Sequence, residues 1–228
     1  MYFCKTFFRP IILFDAMSKT KGILYAAVSS STFGLAPFFS IMLLTTGFSS
    51  FEVLSYRWGV ASATLILFGL ISGCSFRLNK KDFGTVFLLS LFRATTSLSL
   101  VIAYQNIASG VASIIHFMYP LAVALAMMLF FHEKKSLWTI TAILVSIAGA
   151  VFLSSGDISH SGGNTTVGII AACISVFSYG GYIIGVRKSR AVQINSTVLT
   201  CYVMGIGALL FIICGSFTSG IRIVTDWN

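Results

Sequence analysis

Three cationic or titratable side chains sit inside long apolar runs, where only function or a specific partner can hold them: Arg93, His116 and Arg57. Arg93 is some ten residues into a run that begins near residue 83. At 1.5 Å per helical residue that is about 15 Å, the middle of a hydrocarbon layer of about 30 Å. A guanidinium there costs at least about 2.5–3.5 kcal/mol to insert, so it faces protein or water and needs a partner. Two roles are open to it. It can bind a carboxylate or phosphate on a solute, or bond backbone carbonyls beside a helix break such as that at Pro120. His116 lies one to two turns into the next run, with Tyr119 three residues on and near the same face. An imidazole titrates near neutral pH and can relay a proton; the plainer role is a neutral ring bonded to a neighbouring helix. With Tyr104 and Gln105 at the end of the preceding run, His116 and Tyr119 form the expected lining of a solute cavity. Arg57 is read as structural, reaching the membrane interface or pairing with another helix. Glu133, flanked by Lys134 and Lys135, is likewise read as a cap or structural pair.

These residues need helices to place them. Tyr104–Glu133 carries about two dozen residues with no formal charge, one histidine and a central Pro120, and it ends abruptly at His132, Glu133, Lys134 and Lys135. Twenty apolar residues cross a bilayer core. A central proline leaves a carbonyl without its helical donor, which membrane helices tolerate where a neighbour or a cavity re-satisfies it. The whole chain has the same character. Of its 228 residues 57% are hydrophobic and 9% charged, against about 25% charged in soluble domains. The fold class is therefore all-α, a polytopic membrane helical bundle. The net charge of +9 comes from short clusters between apolar runs, so nucleic acid is excluded as a partner and the lipid bilayer takes its place.

Hydropathy gives seven spans, at about 22–44, 52–73, 83–104, 108–131, 137–154, 167–186 and 197–217. Twelve basic residues fall in one set of alternate loops: Lys5, Arg9, Lys19, Lys21, Arg77, Lys80, Lys81, Lys134, Lys135, Arg187, Lys188 and Arg190. The other set holds Arg222. By the positive-inside rule the N-terminus is cytoplasmic. The five cysteines show no CxxC and no histidine at metal spacing, so neither a disulfide framework nor a metal site is expected. No GxxxxGK[ST] occurs, so ATP does not drive the chain directly. His132-Glu133 starts an HExxH, but Ser136 stands where the second histidine belongs. No nucleophile–base set appears, and no cofactor or enzyme activity is expected.

An ungapped shift of 146 residues aligns Gly22 with Gly168, Ser29 with Ser175, Gly34 with Gly180, Tyr56 with Tyr202 and Gly59 with Gly205. One offset thus serves two successive helices and their loop. Five spans per copy would bring the second copy in from the opposite side, the inverted repeat of many secondary transporters. The expected layout is a cytoplasmic segment 1–21, a first five-helix repeat 22–154, an extracytoplasmic linker 155–166, and a partial second repeat 167–228 of two helices. Ser29–Thr32, Gly34 and Pro37 in the first span are answered by Ser175, Ser178, Tyr179, Gly180 and Gly181 in the sixth. Matching interruptions point to the binding region in such carriers. Ser178 and Tyr179 are therefore candidate lining residues, and Gly34, Pro37, Pro120 and Gly180 candidate helix breaks or gates.

Tyr104, Ala108, Ala112, Pro120, Glu133 and Gly149, in a Y-x3-A-x3-A…P…E…G pattern through spans three to five, resemble the drug/metabolite transporter superfamily, specifically the EamA-type permeases. Arg57 and Gly168–Lys188 add to the likeness, which covers about 20–217. The resemblance implies a 5+5 inverted-repeat transporter fold with a central cavity, of which about seven helices are present here. It implies a secondary transporter moving small polar organic metabolites, such as amino acids or drugs, by alternating access across the inner membrane of a bacterium. Proton coupling and a homodimer belong to the same expectation. The alternative is a truncated, non-transporting membrane fragment or assembly subunit.

Overall fold

The computed structural model describes residues 19–131 and 163–218, together with Thr141, Val145, Ala148, Gly149 and Phe152. The regular elements among them are helices: α1 Lys19–Thr45, α2 Ser50–Ile71, α3 Lys80–Asn106, α4 Ser109–His116, α5 Tyr119–Phe130, α6 Thr165–Lys188 and α7 Ser196–Thr218, with a 3-10 turn at Arg190–Gln193. Helix starts follow local chemistry. Ser49 and Glu52 form a capping box at α2, the Ser49 hydroxyl accepting from the Glu52 amide and the Glu52 carboxylate from the Ser49 amide. Asn79 caps α3, and Asn164 accepts from the amides of Thr166 and Val167 at α6. Each cap satisfies amides that the first helical turn leaves open.

Five helical stretches among the described residues are long and apolar enough to span a bilayer: Ser50–Ile71, Lys80–Asn106, Ser109–Phe130, Thr165–Lys188 and Ser196–Thr218. They match the expected second, third, fourth, sixth and seventh spans to within three residues at each end. The first expected span falls within α1. Glu133 lies outside the described residues, as does most of the fifth span. The outward side chains are large and apolar, Ile71, Phe130 and Phe217 among them, as a surface facing acyl chains requires.

α2 packs along α7, and α3 packs along both α6 and α7. Leu54 and Trp58 from α2, Ala94 and Val101 from α3, and Ala208 and Phe211 from α7 make one buried cluster. A second joins Ala103 and Tyr104 of α3 to Ala112 of α4 and to Ala171 and Ala172 of α6. Small residues let the backbones approach, the main source of attraction between helices that lipid does not drive together. A Cβ on Gly207 would collide with the Trp58 ring, and one on Gly168 would lie 2.6 Å from Ile107 Cγ2. Along the α2–α7 seam Ser62 meets Cys201 and Trp58 meets Phe211, so the two helices run antiparallel. These contacts straddle Gly59 and Gly205, the pair related by the 146-residue offset.

Two expectations are corrected. α1 runs unbroken through Gly34 and Pro37, and α6 runs unbroken through Gly180. A proline inside a membrane helix costs one hydrogen bond, which the bundle can absorb without ending the helix. Gly180 serves packing: its Cβ position faces Val123 and Ala122 at 3.6 and 3.8 Å. Cys173, Cys201 and Cys214 are free but Cys74 is disulfide-bonded, and a single bridge leaves no spacing pattern in a sequence.

Candidate functional site

The real interruption is in the expected fourth span. α4 ends at His116, Phe117 and Met118 form a turn, and α5 starts at Tyr119 with Pro120 in its first turn. Pro120 has no amide to offer the His116 carbonyl, and its ring crowds the preceding turn. The chain responds by tightening: the Met118 amide bonds the Ile115 carbonyl at 3.0 Å, and Leu121 bonds Met118 at 3.0 Å. The break therefore falls beside His116 and Tyr119, and frees both rings from a regular helical track.

A cavity of about 60 Å³ lies against this break. Its walls are Pro37 of α1, Arg57 of α2, His116 of α4, and a stripe of α3 comprising Arg93, Thr96, Ser97, Leu100, Val101 and Tyr104. The α3 spacings of three and four residues define one helix face. Arg93 stands midway along α3. Its guanidinium carbon is 5.0 Å from the Tyr179 ring centroid and 5.9 Å from that of Tyr182, both on α6. Tyr179 in turn stacks with Tyr182 and meets Tyr119 edge-on at 4.5 Å between centroids. Arg57 donates to the Ser40 hydroxyl at 2.6 Å. Beside the cavity, sharing Pro37, is an open groove of about 430 Å³ lined by Phe38, Ile41, Met42, Ser109, Gly110 and Ser113. Tyr104 and Ser113 hydroxyls lie 3.4 Å apart between the two spaces.

His116 is buried, and its Nδ1 is 3.0 Å from the Ser175 hydroxyl. That hydroxyl donates its one proton to the Ala172 carbonyl at 2.6 Å. It therefore accepts from His116, which assigns the proton to Nδ1 and leaves Nε2 as the acceptor position of the neutral ring.

Among the sequence candidates, Arg93, His116, Tyr104 and Pro37 line the cavity. Tyr119 and Tyr179 hold its edge through Arg93 and His116. Arg57 makes the cross-helix contact expected of a structural residue, and the same guanidinium also faces the cavity. Gln105 does not reach it: exposed at the end of α3, it bonds the Ser50 hydroxyl at 3.2 Å. Ser178 is half-buried on α6 and is not among the lining residues. Thr96, Ser97, Ser40 and Tyr182 were not anticipated, and Ser175 was named only among the interruptions of the sixth span. A helical projection would have found some of them, since Thr96 and Ser97 fall on the face of Arg93, and Ser175, Tyr179 and Tyr182 share one face of α6.

The model of the EamA-like transporter family matches residues 20–155. This chain belongs to that family. Nothing matches among curated proteins or among solved structures. The EamA-like match covers α1 to α5 and with them most of the cavity wall, including both arginines, His116 and the break before Pro120. The protein is thus a multi-pass integral membrane protein of a transporter family.

Proposed function

We propose that this EamA-like protein is a secondary transporter moving small polar organic metabolites by alternating access, with the solute held between α1, α3, α4 and α6. The observation that supports this reading is the polar cavity around Arg93 at mid-bilayer depth. Soluble interiors rarely tolerate such groups, and in a membrane a buried cation beside water-sized space marks a solute or ion path. Amino acids and drug-like compounds are the solute classes the family suggests. Rocking of the two halves about the α2–α7 seam would expose the cavity to each side in turn. Proton coupling would use His116 Nε2, because the described lining residues include no carboxylate. The basic loops orient the N-terminus to the cytoplasm, and the family resemblance suggests a bacterial inner membrane. A homodimer is part of the same reading.

Reconstitution tests it. Proteoliposomes containing the protein should exchange or accumulate labelled solutes faster than empty vesicles, and Arg93→Ala should remove that flux in a protein that still folds. Flux no greater than in empty vesicles across a broad metabolite panel would end the transporter reading. Unchanged flux in folded Arg93→Ala would end the role given to Arg93.

A further inference from the structure

We infer that the solute is a net-negative organic acid, a carboxylate or phosphate monoester, whose acid group is bound by Arg57 and Arg93 together. This rests on the transporter reading and narrows its substrate class. Two guanidiniums from two helices face one cavity, and a guanidinium does not deprotonate in proteins. Their visible partners are neutral. Arg57 holds the Ser40 hydroxyl, and Arg93 lies on the rings of Tyr179 and Tyr182. Those contacts fix direction and leave the positive charge in place.

The described residues offer little with which to cancel that charge. The chain's six carboxylates are Asp15, Glu52, Asp82, Glu133, Asp157 and Asp226. Each lies outside the expected spans or at a helix end. Glu52 is nearest to Arg57 in sequence, and its carboxylate accepts the Ser49 amide at 2.7 Å within the α2 cap. Asp82 sits in the first turn of α3, eleven residues before Arg93 and so about 16 Å away along the axis. Two cations within apolar spans are costly while unpaired. An incoming anion gains what they lack, through charge-assisted and forked hydrogen bonds.

Size and sign set the ligand. A cavity of about 60 Å³ holds several waters, enough for an acid group. An α-amino acid would put its ammonium within a few ångströms of the same two guanidiniums. The described lining offers that ammonium the hydroxyls of Thr96, Ser97 and Tyr104 and the ring of His116, with no carboxylate. A zwitterion is therefore disfavoured against a plain acid of the same body.

Equilibrium binding to the purified full chain in nanodiscs decides this, with benzoate, phenyl phosphate, benzamide, benzylamine and phenylalanine as matched probes. Benzoate or phenyl phosphate should bind about 10- to 100-fold more tightly than benzamide and phenylalanine, the span expected for hydrogen bonds to a charged group. Benzylamine should bind least. Benzoate against phenyl phosphate tells which acid the site prefers. Arg57→Gln and Arg93→Gln should each remove most of that selectivity, and Arg57→Lys should retain part of it. Should either glutamine variant misfold, the wild-type selectivity series stands alone. Equal affinity for benzamide, preference for benzylamine or phenylalanine, or no binding of either acid overturns the inference. Selective binding of acids without flux in vesicles would overturn the transport reading and leave the anion site standing. Flux of neutral or zwitterionic solutes without preference for acids would do the reverse.

Discussion

The Arg93 guanidinium lies over the face of Tyr179, its carbon 5.0 Å from the ring centroid. Tyr119 meets that ring edge-on from the other side of the helix break. A cation on an aromatic face gains about 0.5–2 kcal/mol, more as water is excluded. Tyr179→Phe keeps the face and should leave solute affinity within about twofold. Tyr179→Leu loses it and should weaken affinity about 3- to 30-fold by the same energies. Measured Kd values for the two variants separate the contribution of the face from that of the hydroxyl. Equal loss in both would place the effect in the hydroxyl.

His116 owes its tautomer to Ser175. The serine proton is spent on the Ala172 carbonyl, so the 3.0 Å contact requires a donor at Nδ1. Nitrogen-15 NMR of the labelled protein should show Nδ1–H for His116, assigned by difference with His116→Gln among the three histidines. Ser175→Ala removes the acceptor and should let the Nε2–H form appear. A wild-type ring protonated at Nε2 alone would overturn the assignment. Arg57 of α2, Arg93 and Tyr104 of α3, Tyr119 of α5 and Tyr179 of α6 are the charged and titratable groups grouped with His116. If its Nε2 carries the coupled proton, His116→Gln should abolish the response of flux to an imposed pH gradient.

The α2–α7 seam has one point of very close approach. A side chain on Gly207 would run into the Trp58 ring, which is itself buried and edge-on to Phe211 at 5.3 Å. Overpacking a tight core costs about 1–3 kcal/mol. Gly207→Ala should lower thermal stability in detergent by that amount, and Trp58→Leu in the same chain should recover part of it. The double-mutant cycle should show coupling of at least about 0.5 kcal/mol. Strict additivity would mean that the two helices do not meet there.

Much of this was legible in the sequence because lipid imposes a simple code. Apolar run length gave α2, α3, α6 and α7 to within three residues at each end, and a charge at mid-span singles out Arg93. Pro120 announced a break, since a missing amide acts locally. Gly34, Pro37 and Gly180 misled, because a glycine in a membrane helix can serve a break or a close contact, and only the neighbour decides. For Gly180 the neighbour is α5. Arg57 was read from its own helix alone, near an interface it could reach. Its orientation is set by Ser40 on α1, a partner seventeen residues away that no periodicity in α2 reveals. Gln105 failed for the converse reason: polarity at a span end equally serves a loop contact, here Ser50.

Pro120 offers the most direct test of whether the break serves transport. The residue is exposed, so replacing it removes little packing. Pro120→Ala returns an amide to the His116 carbonyl and relieves the crowding of the ring against the turn before it. In the interior of a helix that exchange favours the continuous form by up to about 3 kcal/mol. The turn at Phe117 and Met118 should then give way to one helix from Ser109 to Phe130. His116 and Tyr119, now 5.8 Å apart between ring centroids, would be carried onto a regular track and away from Ser175 and Tyr179. The variant should melt at the same or a higher temperature while its flux falls. That opposition of stability and activity is the signature of a break kept for function. A variant that is both more stable and fully active would show that the break merely accommodates the proline.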